Sequence, residues 1–418
     1  MKKVIFMLVA TISVVFLCNV KVGFTQERGM VERMDYLESR LSEITTIQGD
    51  YGGMLEEHGG IVHSLKNLMD RVSVGVGMRT KFTSTEDAAG TKTDGVSGGR
   101  GWDKDFNLDS MRIYLGAKIT DNITVEINTD VHERDIADDN INVLDAFVEF
   151  KWNDYFHIRA GRHLPASDRY NLDGPYYQNS FNFPLVSQRW PNIALGRVDG
   201  ASVWGQYAGG KFKWQGTVSE GSEVAGGAND DEDHLQLSGR LTYNFWEAES
   251  GYYNSSTYYG KKDVLAIGLV GWHQSDAIGT AANPEDYNGW NVDFLLEKNM
   301  GWGTIDIEAA YFDYGGHGVG DNNATARSIG SAWTAGFSYL YPEKIGWGAP
   351  QFVSRYQQFD PTDDVTATAF TESKLELGLH YIIEGHNAKI ALVYSNEHIG
   401  GADNDDRGAV LLGMQFQH

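Results

Sequence analysis

The sequence predicts an all-β chain: a sixteen-stranded antiparallel transmembrane β-barrel, preceded by a helical, coiled-coil-like segment. Three observations carry this. From Val72 to the end, segment after segment alternates apolar and polar residues with period two, which gives strands with one apolar and one polar face. The connections between these segments alternate between short and long. The composition joins 49 glycines, 8 prolines and 12% aromatic residues to a mean hydropathy of -0.37. That average is too polar for a bundle of membrane-spanning helices but suits strands with only one apolar face. With 57 acidic against 34 basic residues, the net charge is -23. This argues against nucleic acid as a partner, because phosphate binding needs a basic face.

Lys2 and Lys3 precede the apolar run Val4 to Val20, the pattern of a secretory signal; its end is placed near residue 25. A retained anchor is the rival reading. The only cysteine, Cys18, lies inside this run, and Leu17 before it suits lipid attachment poorly. Removing residues 1–25 leaves no cysteine, hence no disulfide and no thiolate chemistry.

Residues 26–70 form the expected periplasmic helical segment. One heptad set is Met34, Leu41, Gln48, Leu55, Val62 and Met69, and the other is Leu37, Ile44, Tyr51, His58, Leu65 and Val72. Such a seam favours helix association. The pairs Gly52-Gly53 and Gly59-Gly60 oppose one continuous rod. A trimerising coiled coil and two short helices with a flexible link both remain open.

The barrel is expected over 71–418. Val72, Val74, Val76 and Met78 form the first apolar set, followed by Met111 to Ile119, Ile123 to Ile127 and Leu144 to Trp152. Later sets are Ile305 to Tyr311, Leu375 to Tyr381 and Val410 to Phe416. Short turns are expected at Thr120–Asn122, Asn153–Asp154, Ala208–Gly210, Asn299–Trp302 and Glu384–Asn387. Long loops are expected near 83–107, 132–141, 163–199, 220–234, 274–288, 314–328, 359–371 and 398–407. The stretch 246–262, with Tyr252-Tyr253 and Tyr258-Tyr259, fits neither class. As a strand it would make seventeen; as a long periplasmic turn it leaves sixteen with every long loop outside, and this second reading is adopted. A soluble β-sandwich would not need such sustained alternation.

Residues 155–205 read YFHIRAGRHLPASDRYNLDGPYYQNSFNFPLVSQRWPNIALGRVDGASVWG. Gly161-Arg162, Pro165, Gly174-Pro175-Tyr176-Tyr177, Arg189 and Gly200 in this order resemble outer-membrane porins of the phosphate-selective O and P type. They resemble more closely the porins encoded beside multihaem cytochromes and metalloid (selenite, tellurite) reduction genes. The resemblance covers about 71–418. Phe416 is similar to the aromatic ending of such barrels, although Gln417 and His418 follow it. The helical segment is similar to trimerising prefixes of some porins. The resemblance implies a trimeric sixteen-stranded pore. The family's arginine ladder and lysine cluster find no counterpart beyond Arg159 and Arg162, so phosphate selectivity is not carried over.

If the apolar set meets lipid, the alternate set lines the lumen. In the first half it brings inward Arg79, Lys81, Arg112, Lys118, Lys151, Arg159, Lys213 and Arg240, with Glu126, Asp130, Asp145 and Glu149. In the second half it brings Arg355, Lys374 and Lys389, with Asp293, Glu297, Asp306, Glu308 and Glu376. Opposite walls of opposite sign would set a transverse field; alternatively, these charges pair across strands and only hold the barrel. Loop 163–199 is the longest, and loops of this length are usually functional. It is expected to fold inward as the constriction, with Arg159, Arg162, Arg169, Arg189 and Arg197 as anion contacts, since the planar guanidinium can bind two oxygens at once. A cap shaped by Pro165, Pro175, Pro184, Trp190 and Pro191 is the alternative.

The acidic runs Asp230 to Asp233 and Asp403 to Asp406 suit Ca²⁺ or divalent bridging to lipopolysaccharide, or simple solvation. No strong metal spacing, phosphate loop or haem-attachment motif occurs in the sequence, so no cofactor is expected. An outer-membrane hydrolase would need a nucleophile with an oriented base; Ser373 and His380 fall on opposite faces. The leading expectation is a passive porin for small hydrophilic solutes or ions. Its partners would be outer-membrane lipid, lipopolysaccharide and two further copies of the chain. The second reading is a sleeve around a multihaem cytochrome, which needs a wide lumen.

Overall fold

The computed structural model describes residues 71–86, 101–132, 141–187, 196–221, 234–280, 283–315, 329–362, 371–400 and 405–418. The expected signal and helical segments, and the acidic run 230–233, lie outside these residues.

Sixteen strands follow one another: β1 (Val72–Glu86), β2 (Trp102–Thr120), β3 (Ile123–His132), β4 (Asn142–Asn153), β5 (Phe156–His163), β6 (Val198–Tyr207), β7 (Phe212–Ser219) and β8 (Gln236–Asn244). Then come β9 (Val264–Thr280), β10 (Asn283–Asn299), β11 (Thr304–Gly315), β12 (Gly330–Leu340), β13 (Ala349–Pro361), β14 (Glu372–Glu384), β15 (Ala388–Ile399) and β16 (Asp405–Gln417). Each pairs antiparallel with its neighbours in sequence, and β16 pairs back onto β1. The seam runs from Gly77 opposite Gln417 to Thr85 opposite Ala409. It is completed where Val76 and His418 exchange backbone hydrogen bonds of 2.9 and 2.8 Å. Closure leaves no strand edge unpaired, which is the condition for a sheet to cross lipid.

The expected alternation sets the outer face. Met78 lies opposite both Met111 and Phe416, and Leu115 lies opposite both Val74 and Ile127. These residues are exposed or half-exposed. Outward aromatic pairs mark two levels. At the short-turn end stand Trp152 with Phe156, Tyr155 with Tyr207, Tyr243 with Phe245, and Trp302 with Tyr339. Toward the long-loop end stand Trp290 with Tyr311 and Trp333 with Tyr356. Two aromatic girdles around an apolar band are the mark of a barrel seated in a bilayer.

The five expected short turns all fall between strands. The expected loop 274–288 is a correction: β9 and β10 continue through most of it, to Thr280 and from Asn283. Beyond the apolar band both faces of a hairpin can be wetted, so strand pairing continues where apolar alternation stops. β1, β2, β15 and β16 likewise extend into the expected loops 83–107 and 398–407.

Residues 245–263 connect β8 to β9 at the short-turn end and form no strand. They do not hang outside the barrel either. Glu249, Tyr252 and Asn254 to Thr257 are buried.

Candidate functional site

The lumen is occupied from both ends. From the long-loop end, the connection after β5 folds inward. Leu164 to Ala166 are buried against the wall, and Asp168 caps a single helical turn, α1 (Arg169–Asp173), by accepting from the Asn171 amide. The chain then crosses the barrel. Arg79 on β1 donates to the Pro175 carbonyl at 2.8 Å and also to the Phe181 carbonyl. Gln415 on β16 donates to the Tyr176 carbonyl at 2.8 Å. Asn179 donates to Asp306 and Ser338, and Gln357 accepts from the Leu185 amide. Two aromatic rings of this loop sit over glycines. A Cβ on Gly413 would stand 2.4 Å from the Phe181 ring, and one on Gly77 would stand 2.9 Å from the Tyr176 ring. Inward folding of this loop is thus what the structure contains.

From the short-turn end, residues 245–263 rise into the lumen and meet the loop. Tyr252 donates to the Leu164 carbonyl at 2.9 Å, and Ser256 donates to Asp173. Both Arg169 terminal nitrogens donate to the Glu249 carboxylate at 2.8 Å. The turn is also tied to the wall. Lys213 donates to Asn254 at 2.5 Å, and Gln215 donates to the Tyr252 carbonyl and Glu297 accepts from the Tyr258 and Gly260 amides, each of these three at 2.6 Å.

The electrostatics of the two segments follow from burial. Desolvation would raise Glu249, but Arg169 and Lys213 beside it hold it down to about 2. Asp168 is pushed up to about 6 by burial, with Asp293 nearby adding to the rise. Burial likewise raises Asp173 well above the usual carboxylate range, against the pull of Arg169. Burial and Lys389 lower His386, in the turn after β14, to about 3.

The expected constriction arginines are placed as follows. Arg159 is buried, donates twice to Glu149 at 2.9 and 2.6 Å, and lies over the Phe147 and Tyr252 rings. Arg169 is held by Glu249. Arg197 meets Asp145 at 3.2 Å. Arg162 is a correction. It pairs in register with Ala146 and Asp199, on the outer face, and its 2.6 Å ion pair with Asp199 lies there. Counting alternation from the inward Arg159 puts position 162 outside. Arg189 lies outside the described residues.

The expected lining residues are mostly paired. Arg112 meets Asp130 at 3.1 Å, Arg240 meets Asp293, and Arg355 meets Glu376. Lys118 sits near the rim of the short-turn end, exposed and paired with Asp121 at 2.9 Å. Asp306 and Glu308 are buried. Glu126 is exposed and makes no ion pair among the described residues. Charge pairing across strands, one of the two readings of the wall, therefore accounts for these groups. At the start of β16, Asp405 and Asp406 pair with Arg407 and His398. Ser373 stands opposite the outward Gln358, while His380 is buried on the inner side, so they form no nucleophile–base pair.

On one side of the lumen lies a cavity of about 670 Å³. One wall is β2 to β4, with Arg112, Tyr114, Glu126, Asn128 and Asp145. The other is the loop and the turn, with Tyr176, Tyr177, Tyr253, Asn254 and Tyr258. Ser73, Lys261 and Gly385 rim it at the short-turn end. The sequence offered no sign of this second wall except the tyrosine doublets in 246–262.

No family model matches the chain, and no curated protein matches it in sequence. Solved structures do match in fold. A Pseudomonas putida OprB structure aligns at a TM-score of 0.58 and 11% identity, over 87% of this chain and 97% of that one. An anion-selective porin from Comamonas acidovorans aligns at 0.53 and 11%, over 83% and 100%. The outer-membrane channel DcaP of Acinetobacter baumannii aligns at 0.50 and 12%, over 82% and 97%. At these identities the likeness is one of fold.

Proposed function

We propose that the chain is an outer-membrane porin that lets small hydrophilic solutes diffuse through the residual lumen beside its two inward segments. The observation that supports this best is the cavity between the β2–β4 wall and the loop–turn pair, lined by both charged side chains and tyrosines, inside a barrel whose outer face is apolar and girdled. The likeness in fold to outer-membrane channels and the sequence resemblance point the same way. In this reading the short-turn end faces the periplasm, residues 1–25 direct export, and residues 26–70 form a periplasmic helical segment. Three copies assemble, as the resemblance implies.

Anion preference is expected to be slight. Arg159, Arg169 and Arg197 each face a carboxylate, and an oxyanion would have to displace it. Among the described residues, Glu126 on the wall and Lys261 and Lys262 at the rim line the cavity without an ion pair, and their charges oppose one another. The cytochrome sleeve is disfavoured because the loop and the turn occupy the space that a partner would need.

Planar-bilayer recording under a KCl gradient tests this. Stepwise conductance in threes with a reversal potential near zero supports the reading. Absence of conductance overturns it.

A further inference from the structure

We propose that the outer face of β5 to β8, continued onto β9, is the surface at which copies of this chain meet. This rests on the three-copy assembly proposed above and gives it a location. Gly216, Gly239 and Gly271 lie directly opposite one another on β7, β8 and β9. Their neighbours Gln215, Arg240 and Val270 are buried on the inner side, so all three glycines face outward. A glycine inside a strand weakens it, and marks a bulge, a bend or a place where another backbone comes close. The pairings of β7, β8 and β9 carry no register shift here, and none of the three has a positive φ. An added Cβ would stand 3.6 Å from Val203 at Gly216, 3.7 Å from the Gln215 carbonyl oxygen at Gly239 and 3.9 Å from the Gly289 carbonyl oxygen at Gly271, all ordinary contacts. The barrel's own packing therefore does not require these glycines, in contrast to Gly77 and Gly413, which make room for rings of the long loop. Ala160 opposite Ala201 extends the smooth patch onto β5 and β6. What the row admits is a body outside the barrel.

The same sector matches lipid poorly. A strand that crosses a bilayer takes about 9–11 residues. β5 and β7 have 8 residues and β8 has 9, the shortest of the barrel, and the ends of all three lie within the described residues. Toward the long-loop end, β10 to β13 carry the outward aromatics Trp290, Tyr311, Trp333 and Tyr356. On β5 to β8 the outward positions nearest that end of each strand are Arg162, Asp199, Val218 and Leu237, with no aromatic residue among them. Fluid acyl chains fill any contour and gain nothing from missing side chains. A rigid surface does gain, because small residues let two backbones pack closely. Arg162 and Asp199 point to a second copy as that surface. They present both signs side by side, and each is half-exposed, so a closed ring of identical copies can set the cation of one against the anion of the next.

The test uses the full chain, extracted in mild detergent and weighed by sedimentation equilibrium. Gly216→Trp and Gly239→Trp have room for the new side chain in a lone barrel, so both should fold, as read by heat-modifiable mobility. Both should sediment at about one third of the wild-type mass. Leu392→Trp, on the outer face of β15 at the far side of the cylinder, should keep the wild-type mass. A second readout needs no bulky substitution. Val203→Cys and Leu392→Cys are labelled with bimane and placed in vesicles of brominated lipid, with the labelled wild type as blank. Quenching at position 203 should be at least threefold weaker than at 392. A wild-type chain that sediments as a monomer overturns the proposal, whether lipid or another protein covers the sector in the cell. Equal quenching at the two positions overturns it, because lipid then lies on the sector. Folded glycine variants that keep the wild-type mass overturn it as well. Conducting monomers sink the interface and leave the channel reading standing; protected trimers that do not conduct do the reverse.

Discussion

Arg169 and Glu249 join two segments that enter the barrel from opposite ends, and their side chains meet in two hydrogen bonds of 2.8 Å. Both are almost wholly buried. Removing one partner leaves a charge in the interior, at a cost of roughly 3–5 kcal/mol. Arg169→Ala or Glu249→Gln should therefore loosen the loop and the turn while the strand ladder stays intact. Limited proteolysis should cut within 164–187 or 245–263 in either variant and in neither segment of the wild type. Arg169→Met with Glu249→Leu should restore much of the protection, because no unpaired charge remains.

Glu249 and the neighbouring Asp168 make the inward segments sensitive to pH in both directions. Glu249 sits near 2, below its ordinary 4.5. Its contribution is present above about 4.5 and is lost as the pH falls toward 2. Asp168 sits near 6, above its ordinary 3.8. Its ionisation is disfavoured in the folded loop, so stability is lost as the pH rises from about 4 through 6 and is constant beyond. Protection of the loop from proteolysis should peak near pH 4 to 5. Asp168→Asn should remove the decline on the alkaline side, which amounts to about 3 kcal/mol by linkage, and should leave the acid side unchanged.

Gly413 admits the Phe181 ring against β16. A valine there should leave the outward face of β16 unaltered and displace the ring. Gly413→Val should still give a heat-modifiable barrel, but with larger single-channel conductance and more current noise than the wild type. Unchanged conductance would show that the ring does not hold the loop.

Ion preference separates the inward from the outward arginines. Arg159→Gln leaves Glu149 without its partner inside the lumen and should move the reversal potential toward cation preference. Glu126→Gln should move it toward anions. Arg162→Gln, on the outer face beside Asp199, should leave it where it was.

The barrel was legible in the sequence because lipid on one side and water on the other impose a two-residue period on every strand. Hence Val72 to Met78, Ala146 to Trp152 and Val410 to Phe416 could be assigned to the outer face directly, whereas Leu144 is buried and Val143 exposed, because the register shifts beside Asn128. The interior was legible only in part. Arg159 and Arg240 could be placed inward, but their partners depend on strand register and on segments far away in sequence. Arg162 could have been placed outside by counting from Arg159; its position beside the long loop hid this. The inward course of 246–262 had no periodic signature, because a segment packed on all sides against polar side chains shows neither a strand's alternation nor a loop's uniform polarity. Glu249, Tyr253 and Asn254 were therefore missed as site residues.

The docking of the long loop onto the seam bears on how the chain is assembled. Arg79 and Gly77 belong to the first strand, Gln415 and Gly413 to the last, and the loop residues Pro175, Tyr176 and Phe181 engage both. That landing surface does not exist until the two termini of the barrel have met. The loop can settle only after the cylinder is shut, so a half-built intermediate keeps an unfilled interior, and the seated loop records that insertion has finished.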